Sequence, residues 1–163
     1  MGVLNIYFHA ANAEAALQTD VMGRLVGFTT VESKVADPIV VLGQLVALIT
    51  GVAWRPGLIG ATVISPSPAT KPTSAQAYAL LPGDSPWRTG PWLHELGVRA
   101  RDTLADMDAS RRIELAVQWG RIDEFRRIPE GEKGFLAPLI LELSNLAKEA
   151  RKADHRIYCW SSL

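Results

Sequence analysis

Arg156-Ile157-Tyr158-Cys159-Trp160-Ser161 is short, aromatic and β-branched, and it comes after a long amphipathic stretch. Residues of these types fit a pleated surface covered by a core, so the segment reads as a strand. In the stretch before it, Leu136, Leu139, Ile140, Leu143, Leu146, Ala147 and Ala150 recur at helical spacing, which predicts a helix over residues 136–153. Pro138 is tolerated in its first turn, and Asp154-His155 ends it. Leu4-Asn5-Ile6-Tyr7-Phe8-His9 has the same strand character near the other end of the chain. Strands at both ends imply that the two ends meet in one sheet, with the intervening helices packed on it.

Between them, Asn12 is placed to cap a helix whose apolar face is Ala15, Ala16, Leu17, Val21, Leu25 and Phe28. Residues 29–37 are polar and turn-like. Asp37-Pro38 is a helix start, a capping carboxylate followed by a proline at the first helical position, and Arg55-Pro56-Gly57 is a stop. Residues 38–54 carry no charge, yet 17 residues with Gln44, Thr50, Gly43 and Gly51 suit a buried helix better than a membrane span. Gly43, Ala47 and Gly51 form a small stripe that lets this helix lie close to a neighbour. Residues 58–64 read as a strand and 65–74, with Pro66, Pro68 and Pro72, as a loop. Residues 75–81 read as a strand pairing antiparallel with 58–64. After the irregular segment 82–91, a helix is expected from about Pro91 to Met107. Asp108 caps another over residues 109–124, with Ile113, Ala116 and Val117 inward. The order β-α-α-β-β-α-α-α-β predicts an α+β fold: a small, mostly antiparallel sheet of about four strands covered by about five helices. Residues 1–163 are read as one domain.

With 163 residues, 48% of them hydrophobic and 21% charged, the composition is that of a globular domain. A chain of this length can bury roughly 70% of the surface its unfolded form exposes, so it needs no staple. Seventeen basic residues balance seventeen acidic ones, which removes the basic excess a nucleic-acid binder usually carries. Arg111, Arg112, Arg121, Arg126 and Arg127 are interleaved with Glu114, Asp123, Glu124 and Glu130, the pattern of a solvated helical surface. The single cysteine, Cys159, excludes an intramolecular disulfide and fits a reducing compartment. The first residues lack the charged and apolar regions of a secretory signal, so a cytoplasmic location is expected.

No phosphate loop, HExxH, CxxC or EF-hand pattern occurs. His9, His94 and His155 lie far apart in sequence, and their spacing predicts neither a metal site nor a cofactor. Cys159, set between Tyr158 and Trp160, reads as a buried, inert thiol. Gly83-Asp84-Ser85 resembles the nucleophile block of GDS-type hydrolases, with Asp154-His155 as conceivable partners. In that family, however, the block comes after the first strand and the distal pair is spaced as DxxH. A turn in which Asp84 and Ser85 bond local backbone accounts for the segment without catalysis. Trp87-Arg88-Thr89-Gly90-Pro91-Trp92-Leu93-His94-Glu95 gathers residue types enriched at binding hot spots. Trp87, Arg88, Trp92, His94, Glu95 and Arg99 are therefore the candidate partner-binding residues, and no catalytic residue is assigned.

The Met-Gly start, the aromatic first strand, the central Leu48-Ile49-Thr50-Gly51 and the last helix running into a terminal strand resemble YfbM-like bacterial domains. The layout also resembles small immunity proteins of bacterial polymorphic toxin systems. The proline-rich loop at 65–74 departs from that pattern. The missing catalytic constellation, the balanced charge and the Trp/Arg-bearing segment point to a non-catalytic protein-binding domain, and the resemblance to immunity proteins suggests the narrower form, one that neutralises a toxin. The alternative is a hydrolase-like enzyme or small-ligand protein with a cleft near Ser85, His94 and Glu95.

Overall fold

The computed structural model describes residues 3–18 and 29–163. Its centre is a five-stranded antiparallel sheet of β1 (Leu4–Ala10), β2 (Val31–Ser33), β3 (Thr62–Ser65), β4 (Trp92–Glu95) and β5 (Arg156–Ser162), in the spatial order β2-β1-β5-β4-β3. The two end strands pair along their full length, from Leu4 opposite Ser162 to Ala10 opposite Arg156. The fold is α+β, as expected, and β5 is the middle strand.

Because side chains alternate along a strand, the register sorts the sheet into two faces. Tyr7, Cys159 and His94 are cross-strand neighbours on one face, and Ile6, Trp160 and Leu93 on the other. The first face carries the larger core. There Tyr7, Val31, Ile157 and Cys159 meet α2 (Val41–Thr50), α5 (Val98–Asp106), α6 (Arg112–Trp119) and α7 (Leu136–Lys152). All seven apolar positions assigned to the last helix are buried, in the 17-residue α7. The second face holds Ile6, Phe8, Tyr158, Trp160 and Leu93 with Ala16 of α1 (Ala13–Leu17), which Asn12 caps through Ala15 N at 2.9 Å. The expected continuation of that helix through Val21, Leu25 and Phe28 lies outside the described residues.

The uncharged central stretch forms α2, which is shorter than expected. The Asp37 carboxylate accepts from the backbone N–H groups of Ile39, Val40 and Val41 at 2.9, 2.8 and 3.1 Å. At the far end Gly51 adopts φ +68°, and the chain leaves the helix there instead of at Trp54. Trp54 folds back over Gly43, where a Cβ would lie 2.7 Å from its Nε1, whereas a Cβ at Gly51 would meet nothing within 4 Å, so of the two glycines of the small stripe only Gly43 serves a close approach, and to a side chain. Among the described residues no helix is long and apolar enough to cross a membrane.

Three element assignments differ from expectation. Residues 75–79 form a helix, α3 (Ala75–Ala79), because Ser74 Oγ accepts from Ala77 N at 3.0 Å and caps a first turn that the flanking prolines obscure. The segment after Pro91 begins as β4 and turns helical only at Val98, since its first residues find a ladder partner in β5. On α6 the inward residues are Leu115 and Trp119, while Ile113 and Val117 are 58% and 52% exposed. A 3-10 turn at Ala109–Arg111 precedes α6 and resets its helical phase. Trp119 donates Nε1–H to Val41 O at 2.9 Å and stacks edge-on against Phe125, which anchors α6 to α2.

Candidate partner-binding surface

β3 and β4 are neighbours in the sheet, yet 26 residues (66–91) join them. This arm contains a 3-10 turn (Pro68–Thr70), α3 and α4 (Pro86–Thr89), and none of its residues is buried. It is ordered by bonds to itself. Trp87 donates Nε1–H to Thr70 Oγ1 at 3.0 Å. One Arg88 nitrogen donates to Tyr78 O at 3.1 Å and Ala79 O at 2.7 Å, satisfying carbonyls at the end of α3, where a cation also complements the helix dipole. The same guanidinium lies 5.5 Å from the centre of the Tyr78 ring. To solvent the arm shows Leu80, 77% exposed, and Tyr78, 45%, among exposed polar residues such as Lys71, Gln76 and Asp84.

The candidate residues from the sequence do not form one surface. Trp87 and Arg88 sit in the arm, partly buried by its own contacts. Trp92 and His94 lie on the face of β4 that carries the larger core, His94 buried at 8% exposure and Trp92 partly so. Glu95 points to the opposite face, where it accepts a hydrogen bond from Tyr158 Oη at 3.0 Å. A strand separates what a helix would have joined, so Trp92 and Glu95 share no face. Arg99 is exposed on α5 and lines two surface cavities of about 480 and 320 Å3. None of the other five lines these or two further cavities of about 430 and 380 Å3.

Around His94 the sheet carries polar groups that a catalytic reading would need to be active. Ser161 Oγ donates to Asn5 Oδ1 at 2.7 Å, and Tyr7 Oη donates to Ala36 O at 2.7 Å. Cys159 Sγ is 3.8 Å from Ser161 Oγ, and burial pushes the thiol up to about 12. Burial holds His94 below the ordinary histidine value, and its Nδ1 has no hydrogen-bond partner among the described residues. A neutral thiol beside a neutral imidazole lacks the thiolate that nucleophilic chemistry requires. Burial, with the Glu95 carboxylate adding to it, raises Tyr158 well above the ordinary tyrosine value. Ser85 Oγ bonds neither His94 nor His155, so the Gly-Asp-Ser turn has no base.

One pairing escapes sequence reading altogether. His9 Nδ1 and His155 Nδ1 are 2.8 Å apart across 146 residues, with ring centres 5.0 Å apart. The register of β1 against β5 brings them together, and no local motif announces it. Glu149 Oε2 lies 3.8 Å from His9 Nε2. Burial and the neighbouring His155 lower the His9 pKa, against the opposing pull of Glu149. No group of three or more His, Cys, Asp or Glu converges among the described residues. Compared with known proteins, the chain matches no family model, no curated sequence and no solved structure.

Proposed function

We propose that this chain is a non-catalytic protein-binding domain that meets its partner through the 66–91 arm. The observation that carries this reading is the arm itself: 26 residues, none of them buried, that hold their shape by internal hydrogen bonds and present Leu80 at 77% exposure. An excursion that contributes no buried residue is not there for the core. A pre-ordered surface lowers the ordering cost of association. Within it Trp87 and Arg88 act chiefly as scaffold, and Leu80 and Tyr78 offer the contact area. The narrower reading, an immunity protein that neutralises a bacterial toxin, rests on the resemblance in layout.

The hydrolase-like alternative gains no support, since Ser85, His94 and Glu95 lie in the arm, under the helices and on the opposite face of the sheet. The test is a quantitative pull-down from the source cells with the wild-type chain, Leu80→Asp and a control such as Lys152→Ala. A stoichiometric partner that Leu80→Asp loses and the control keeps supports the proposal. Absence of such a partner, or its indifference to Leu80→Asp, refutes it.

A further inference from the structure

We propose that the cavity of about 320 Å3 between α2, α5 and the 52–58 loop binds a compact organic anion, a carboxylate or phosphate carried on a small apolar body. None of the residues of the 66–91 arm lines it, so the site is separate from the protein-binding surface. Its volume falls at the small end of ligand pockets, which run from about 300 to 1,000 Å3. The floor is apolar, with Val46 and Ala100 buried and Leu58 partly so, and the polar wall carries Arg55, Arg99 and Thr103. Among the described residues no Asp or Glu lines it.

The charge on that wall is uncompensated. Among the described residues neither the Arg55 nor the Arg99 guanidinium makes a hydrogen bond or ion pair, and the Thr103 hydroxyl makes no hydrogen bond. The adjoining cavity of about 480 Å3 shares Arg99 and Thr103 and carries three carboxylates, but each is engaged elsewhere. Asp102 accepts from Arg101 at 2.8 Å, Asp106 pairs with Arg151, and Asp108 accepts from Ser110 N at 2.9 Å. The walls are fixed by a contact distant in sequence. Gly97 N–H donates to Ile59 O at 3.0 Å, and a Cβ on Gly97 would lie 2.7 Å from that oxygen, so the chain leaving the loop is docked on the start of α5. A guanidinium presents a planar set of N–H donors that meets a carboxylate or phosphate two bonds at a time. Thr103 adds a hydroxyl donor, and the apolar floor takes the body, so an organic anion suits the cavity better than an inorganic one.

The experiment is a two-dimensional NMR titration of the full chain with sodium benzoate and with phenyl phosphate, and with benzyl alcohol as the uncharged control. Saturable shifts at the amides of residues 50–58 and 98–103, half-complete below about 10 mM, are expected for at least one anion and not for benzyl alcohol. The tighter of the two anions identifies the headgroup. Arg55→Gln and Arg99→Gln are each expected to weaken binding about ten-fold with the spectrum otherwise native. Arg127→Gln removes an exposed charge that lines none of these cavities, and is expected to leave binding unchanged. The inference is overturned if neither anion saturates in that range, if benzyl alcohol binds as tightly, or if the shifts fall elsewhere. Wild-type affinity in either arginine variant, or an equal loss in Arg127→Gln, overturns it as well.

Discussion

Cys159 and His94 stand opposite one another on neighbouring strands, and both are shaped by burial. A thiol pushed up to about 12 has almost no thiolate at pH 8, so the native protein is expected to leave a disulfide reagent unreacted until denaturant exposes it. Stoichiometric reaction of the native chain within minutes would contradict this. His94 has a folded-state pKa below that of an unfolded histidine, about 6.5. Below that value the unfolded chain binds the extra proton, so stability is expected to fall as pH drops from about 6.5 through the folded pKa. Urea midpoints at pH 7.5 and 5 should therefore differ less in His94→Gln than in the wild type. The inert thiol is legible from its neighbours Tyr158 and Trp160. The burial of His94 is not, because a helical reading of residues 91–107 puts it on the wrong element.

At the scale of elements, Asp37 supports the entry into α2 by satisfying the N–H groups of Ile39, Val40 and Val41 with one carboxylate. Asp37→Ala is expected to cost about 1 to 2 kcal/mol, measured by denaturant unfolding. This cap is readable from Asp37-Pro38, since the signal is local. The arm obeys a different rule. Its anchor, Arg88, reaches across nine and ten residues to α3, contacts that no propensity encodes. Arg88→Ala is expected to raise protease sensitivity within residues 71–88 while leaving the global melting temperature within about 2 °C, because the arm contributes nothing to the core. A global loss of several degrees would mean that the arm supports the sheet.

For the whole molecule, the position of β5 dominates. It lies between β1 and β4, and its Ile157, Tyr158, Cys159 and Trp160 are buried, feeding both cores. Removing residues 156–163 is expected to abolish cooperative unfolding, since it splits the sheet and opens both faces. A truncated chain that still melted cooperatively would show that the helices form a core of their own.

The sequence by itself determined the features that local chemistry sets: the α+β class, the terminal strands, the Asp37 cap, the amphipathic α7 and the missing catalytic motifs. Periodicity, capping residues and composition act over one or two turns of chain, and such signals survive without a fold. Only the tertiary structure decided that residues 92–95 become strand, since β5 supplies their ladder partner. It also decided which side of α6 faces the core, and it joined His9 to His155. Each of these depends on a partner distant in sequence. Arg156-Ile157-Tyr158-Cys159-Trp160-Ser161 spans both kinds of information: its residue types announce a strand, and only its neighbours make it the centre of the sheet.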